Sequence, residues 1–359
     1  MKKLLILLIA LIFTACNPSN SNFNPDINKT NDSNTTTGIK LPIKNSKLND
    51  IEIFFSKSGG SYKGGIDEKI VSDINSSQNF IYLALYELTN KKIKDALINA
   101  YNRGVEVKVV TDDESFSKKY YLFGELKDAG VDVKTDEGFS HGLMHDKFMV
   151  IDNRVLWSGS GNYTIYSFYR NYENYFRVTN SEIIANYKSE FEELYSGNLT
   201  KGSYISSSYE VYFSPEDDFR DNRLIPLVKS AKNSVYIMAF ALNDAKLKDA
   251  LVEDKNRGVD IHIIFDKKQT EGYQKDYTQY YNLKNASIDT VLVGDSNHKM
   301  HNKVIIIDGK IVSTGSYNFT VSANYDNCEN ELIIKDKEVA KKYIEDFMRV
   351  YENKKDENN

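Results

Sequence analysis

Cysteine is nearly missing from this chain: Cys16 and Cys328 are the only two. That excludes a disulfide framework, and if Cys16 carries lipid no intramolecular bridge can form at all, so stability must come from packing. Cys328 is expected to be a small buried residue. Long apolar runs are also missing. The longest at the N-terminus, Leu4 to Phe13, is too short to span a bilayer as a helix, and no transmembrane helix is expected after it. Cationic excess is absent too, with 46 Lys+Arg against 51 Asp+Glu giving a net charge of −5, or −7 without Lys2 and Lys3. That balance is not the one nonspecific nucleic-acid binding prefers, although a local basic channel could override it. Neither His141 nor His298 stands at a metal-like spacing from a cysteine or carboxylate, so both are expected in loops, and no metal or other cofactor is expected.

What is present at the N-terminus reads as targeting. Met1-Lys2-Lys3 and the apolar stretch that follows form a signal peptide over residues 1–15, ending Phe13-Thr14-Ala15-Cys16. This end resembles a bacterial lipobox, with Phe13 where Leu is usual, and makes Cys16 the expected lipidation site. The protein is thus expected outside the cytoplasm, lipid-anchored to the cell envelope, since two acyl chains already hold a protein stably. Residues 16–49 are rich in Asn, Ser, Thr and Lys with almost no aromatics and read as a flexible tether with a span on the order of 30 Å.

The remaining 300 or so residues are an internal duplication. Ile53-Phe54-Phe55-Ser56 answers Val211-Tyr212-Phe213-Ser214, Lys94-Asp95-Ala96-Leu97 answers Lys248-Asp249-Ala250-Leu251, and Asn102-Arg103-Gly104-Val105 answers Asn256-Arg257-Gly258-Val259, at offsets of 158 to 154 residues. Two similar units, 50–200 and 201–359, follow from this. Each alternates aromatic or β-branched strands with amphipathic helices, one of which closes on Gly104 or Gly258 at the C′ position. The fold class is α/β.

The chemistry lies on a second shared pattern. His145-x-Lys147-x4-Asp152-x6-Gly159-Ser160-x-Asn162 recurs as His301-x-Lys303-x4-Asp308-x6-Gly315-Ser316-x-Asn318, and Glu173 and Glu329 follow at equal distance. On a strand, residues two apart share a face, so each histidine and its lysine can aim at one phosphate. Asp152 and Asp308 belong to the motif, yet their odd separation and their place before a turn suit fixing that turn. Ser160, Asn162, Ser316 and Asn318 offer hydroxyl and amide donors for phosphate oxygens.

With these residues the chain resembles the phospholipase D superfamily in its two-motif form, over essentially everything after the tether. The resemblance implies two tandem α/β/α sandwich repeats related by a pseudo-twofold axis, with both histidines at the interface. It implies catalytic roles for His145, Lys147, Asp152, His301, Lys303 and Asp308, one histidine attacking phosphorus and the other serving as acid and base. It further implies phosphate binding by the Ser/Asn pairs and orientation of the histidines by Glu173 and Glu329. Which histidine is the nucleophile stays open. Two motifs in one chain make a monomer sufficient.

The substrate is less legible, because the motif names a reaction and not a molecule. The expected anchor favours phospholipid, with release of phosphatidic acid and a head-group alcohol. A surface nuclease is the alternative enzyme, and a non-catalytic binding lipoprotein the alternative of another class. A synthase-like transferase is disfavoured by the lack of a transmembrane helix after the signal. Tyr163, Tyr166, Phe168, Tyr169, Tyr172, Tyr175 and Phe176, with Tyr273, Tyr277, Tyr280 and Tyr281, could seat acyl chains or stack bases, but core packing explains most of them.

Overall fold

The structure, a computed structural model, describes residues 39–40, 49–56, 64–137 and 142–356. The residues expected to form the signal peptide, Cys16, most of those expected to form the tether, and His141 lie outside the described residues. The described residues fall in one compact unit that contains two eight-stranded sheets built alike.

The first sheet comprises β1 (Ile39–Lys40), β2 (Ile51–Phe55), β3 (Phe80–Leu85), β4 (Glu106–Thr111), β5 (Asp132–Thr135), β6 (Lys147–Ile151), β7 (Val155–Gly159) and β8 (Asn174–Val178), in the order β1-β2-β8-β7-β6-β3-β4-β5. The helices between them are α1 (Ile66–Asn75), α2 (Lys91–Asn102), α3 (Asp113–Ser117), α4 (Phe123–Asp128) and α5 (Ile165–Tyr169), and α6 (Ser181–Ser196) follows the last strand. Strands β3, β4 and β5 are parallel, which requires helical crossovers, whereas the β6-β7-β8 meander is antiparallel and needs only short turns. Asn90 caps α2 by accepting the Ile93 N–H, and Gly104 ends it at φ 88°, a left-handed conformation that costs glycine little. Ile39–Lys40, within the 16–49 stretch expected to be a tether, pairs antiparallel with Phe55 and Phe54 and extends the edge of the sheet.

The second sheet repeats this plan with β9 (Tyr204–Ile205), β10 (Tyr209–Ser214), β11 (Ser234–Ala239), β12 (Asp260–Asp266), β13 (Asp289–Val293), β14 (Lys303–Ile307), β15 (Ile311–Gly315) and β16 (Glu329–Ile334), ordered β13-β12-β11-β14-β15-β16-β10-β9. Its helices are α7 (Ile225–Lys229), α8 (Ala245–Asn256), α9 (Tyr280–Asn285), α10 (Val321–Tyr325) and α11 (Lys337–Asp356), with π-helical turns at Arg220–Leu224 and Gln269–Tyr273.

The motif strands β6 and β14 are buried along their whole length, and alternate side chains serve different cores. Met149 and Ile151 face the core of the first half, and Ile305 and Ile307 that of the second. Phe148, Val150, Val304 and Ile306 point the other way, into a third core that both halves share. The apolar faces of α6 (Ile183, Tyr187, Phe191) and α11 (Val339, Tyr343, Phe347) close this shared core. Most of the crowded aromatics are packing residues: Tyr163, Phe168, Tyr169, Tyr175, Phe176 and Tyr280 are buried, while Tyr166, Tyr273, Tyr277 and Tyr281 are exposed. No helix among the described residues is long and apolar enough to cross a membrane.

Candidate active site

His145 and His301 sit just before β6 and β14, in segments that cross to the opposite half. Met144 forms a parallel bridge with Cys328, and Met300 one with Tyr172. The Cys328 carbonyl accepts the His145 N–H at 3.0 Å, and the Tyr172 carbonyl accepts that of His301 at 3.0 Å. Each histidine is thereby laid beside the glutamate of the other half. His145 Nδ1 lies 2.8 Å from Glu329 Oε2, and His301 Nδ1 lies 2.9 Å from Glu173 Oε2. Both glutamates are brought to the histidines, but crosswise, and Nε2 is left as the ring nitrogen available to phosphorus.

The lysines complete the constellation. Lys147 Nζ donates to the His145 carbonyl at 2.5 Å, and Lys303 Nζ to the His301 carbonyl at 2.7 Å. Both are fully buried, and burial lowers them to about 8 and about 7, with the neighbouring glutamates offsetting it only in part. Burial also carries His145 well below its usual range, helped by the charges of Lys147 and Lys303, so groups from both halves act on one another. His301 falls to about 3 by burial, against the pull of Glu173. Burial pushes Glu329 up to about 7, whereas at Glu173 the same effect is overcome by His301, Lys303 and Ser160, which hold it at about 2. The two glutamates have equivalent partners, so one arrangement serves both. We take it to be the ionised one, a carboxylate accepting from Nδ1–H, because that is the form in which a glutamate fixes the tautomer of a neutral histidine.

Four residues expected at the phosphate or in catalysis are engaged elsewhere. Ser160 donates its hydroxyl proton to Glu173 (2.7 Å) and Ser316 to Glu329 (2.6 Å), and these hydroxyls accept the N–H of Asn174 and Asn330 at 3.0 Å. A hydroxyl has a single proton, so the serines as placed hold the glutamates and not a phosphate. Asp152 lies at the far end of β6, where its carboxylate accepts the N–H groups of Gln78, Asn79 and Phe80 at 2.8–2.9 Å. Asp308 does the same for Lys232, Asn233 and Ser234 at the far end of β14. A five-residue strand is about 17 Å long, so both aspartates are turn anchors, removed from the reacting atoms. Asn162 and Asn318 each carry a buried Oδ1 that has no partner among the described residues, and Asn162 Nδ2 donates to Glu87 at 3.0 Å.

Several supporting residues carried only weak signals in the sequence. Asn171 and Asn327, within the repeated Asn-x-Glu-Asn, donate to Glu173 and Glu329 at 3.4 and 3.2 Å. Asn174 donates to Asn302 across the pseudo-twofold axis, and Asn330 to Asp146, both at 2.8 Å. Tyr86 and Phe240, at equivalent places, lie against His145 and His301 with centroids 5.0 and 4.5 Å away. Cys328 is buried, and burial pushes its thiol well above its usual range. His298 is a loop residue bonded to Asp295. Carboxylates of Asp112, Asp113 and Asp136 approach one another within 4.8 Å, but Asp136 spends both oxygens on the N–H groups of Asp113 and Met144, a loop-holding role.

The family described as "Cardiolipin synthase, PLD-like domain" matches this chain twice, over residues 70–195 and 224–351, so each match contains one complete histidine–lysine motif and its glutamate. The chain belongs to the phospholipase D superfamily. Among relatives of this phospholipase D-like chain, a protein named phospholipase D from Rickettsia prowazekii is 37% identical over 124 residues, 34% of this chain and 58% of the relative. A mitochondrial cardiolipin hydrolase from Xenopus laevis is 32% identical over 127 residues, 35% of this chain and 60% of the relative. The chain therefore spans somewhat under two thirds of the length of these relatives. A solved phosphatidylserine synthase from Haemophilus influenzae superposes with a TM-score of 0.61 at 14% identity, covering 86% of each chain, which shows the shared fold.

Proposed function

We propose that this chain is a phosphodiesterase that hydrolyses phospholipid to phosphatidic acid and a head-group alcohol through a covalent phosphohistidine. The observation that carries the reading is the crossed pair of histidine–glutamate contacts with two buried lysines between them. Each glutamate fixes its histidine with Nδ1 protonated, which leaves one Nε2 as nucleophile and the other, once protonated, as acid for the leaving alcohol. The lysine ammonium groups, poor in solvent and already positioned, stabilise the charge that builds on the nonbridging oxygens. Water then attacks phosphorus, the second histidine takes its proton, and the P–N bond breaks.

Phospholipid is favoured over nucleic acid by the net negative charge and by the names of the curated relatives. The lipobox-like end at Cys16 adds an anchor in the envelope that would keep the enzyme at its substrate. The test is head-group release from mixed phospholipid vesicles in the presence of EDTA, run beside plasmid nicking, for the wild type and for His145→Ala and His301→Ala. Histidine-dependent lipid cleavage is the expected result. Nicking without lipid cleavage transfers the site to a nuclease, and neither activity leaves a binding protein.

A further inference from the structure

The two halves of the site are not equal in charge. Glu87 follows Tyr86 at the end of β3, beside His145; its counterpart after Phe240 in the second half is Ala241. Glu87 is half-buried, and among the described residues its carboxylate accepts hydrogen bonds from neutral groups, the Tyr121 hydroxyl and Asn162 Nδ2, the latter at 3.0 Å. Because the carboxylate needs a donor, it fixes the Asn162 amide with nitrogen toward Glu87. Asn162 as a whole is 95% buried, and its amide oxygen is left buried and without a partner among the described residues. A carboxylate and a spare carbonyl oxygen are both acceptors, and beside them stand the rings of Tyr86, Tyr121 and Tyr120, the last two edge to face at 4.5 Å with Tyr120 about half exposed. Lys147 lies over Tyr86 at 5.4 Å and its equivalent Lys303 over Phe240 at 4.9 Å, but the second side adds Lys299 over Phe240 at 5.7 Å, and Asp266-Lys267-Lys268 stands where the first half has Asp112-Asp113-Glu114.

We propose that Glu87, Asn162 and the tyrosines around them form a cation subsite on the His145 side that takes the ammonium of a phosphodiester's alcohol arm, so that choline- or ethanolamine-type head groups are selected over uncharged or anionic ones. An anion with aromatic faces is the environment that holds quaternary and primary ammonium groups. The naming of a substrate class rests on the phospholipase reading above; the cation subsite itself does not.

The experiment has two arms. In the first, kcat/KM is compared for phosphatidylcholine and phosphatidylglycerol in otherwise identical vesicles. Glu87→Gln lowers the ratio about tenfold, the scale of a partly desolvated cation–π and charge contact, while Glu87→Asp, which keeps the charge, retains most of it. In the second, choline chloride alone is titrated into the full protein and followed by NMR: the wild type and Glu87→Asp bind, Glu87→Gln does not, and glycerol binds none of them. Glu87-dependent choline binding in a protein that cleaves no phospholipid sustains the subsite and removes the phospholipase reading. An unchanged ratio with unchanged choline binding in Glu87→Gln overturns the subsite, and so does equal loss in Gln and Asp variants, which would show shape and not charge.

Discussion

Lys147 and Lys303 hold their ammonium groups without solvent, each against the carbonyl of its own histidine. Holding a charge there opposes folding, because the folded-state values of about 8 and about 7 lie below the roughly 10.4 of an unfolded lysine. The unfolded chain therefore binds more protons between these values, and stability rises with pH across that window. Lys303→Met is expected to abolish turnover, and its stability relative to wild type is expected to be most favourable at pH 6 and to worsen toward pH 10, because only the wild type is relieved by losing the buried proton. Denaturant melts at pH 6 and 9 check this, and a pH-independent gap would sink it. The same lysines predict that kcat/KM of the wild type declines as pH rises through about 7 to 8, when the free enzyme loses the charges that receive phosphate. Asp152 behaves in the opposite manner. Burial would raise its pKa, but three backbone donors and Arg154 hold it below the usual carboxylate range, so its contribution to stability is present above that range and is lost as pH falls into it. Asp152→Asn is expected to cost about 1–3 kcal/mol of stability and to leave kcat/KM of the folded protein near wild type. Loss of kcat without loss of stability would return Asp152 to the catalytic group.

Among elements, the decisive ones are the short stretches ahead of β6 and β14, since their bridges to Cys328 and Tyr172 assign each glutamate to the opposite histidine. The motif spacing made the histidine, the lysine and the burial of the strand behind them readable, because a strand repeats every two residues and a two-sided apolar run marks a covered strand. The crossing was not readable, because it depends on pairing between segments 128 and 184 residues apart that no local pattern encodes. The serine–glutamate contacts were hidden for a similar reason: a hydroxyl near a phosphate site and a hydroxyl bracing a carboxylate look alike until the carboxylate is placed. Gly315 lets β15 approach β16 so closely that an added Cβ would stand 2.0 Å from the Asn330 carbonyl oxygen. Gly315→Ala must then part these strands next to Glu329 and release His145 in the other half. A displacement of about 1 Å at a catalytic group costs on the order of 100-fold, so kcat should fall by about that much while the far-UV CD spectrum is kept. A variant of near wild-type rate would show that Glu329 does not depend on this strand contact.

At the scale of the whole molecule, the shared core and the crossed glutamates make the halves mutually dependent. Separating residues 50–200 from 201–359 would uncover the faces bearing Phe148 and Val150 and those bearing Val304 and Ile306, and would deprive His145 of Glu329. Exposed apolar surface of this kind drives association. Because the halves share one plan, a second copy of the first half could present Glu173 where Glu329 belongs. The isolated 50–200 piece is therefore expected to be inactive as a monomer and to gain activity only on self-association, so that its rate per chain rises with concentration, while the full chain keeps a constant rate per chain over the same range. Co-expression of the two pieces should restore the concentration-independent rate if they assemble tightly, since that reunites each histidine with its own glutamate. Turnover by a monomeric half, established by sedimentation at the assay concentration, would refute the crossed arrangement as a requirement for catalysis.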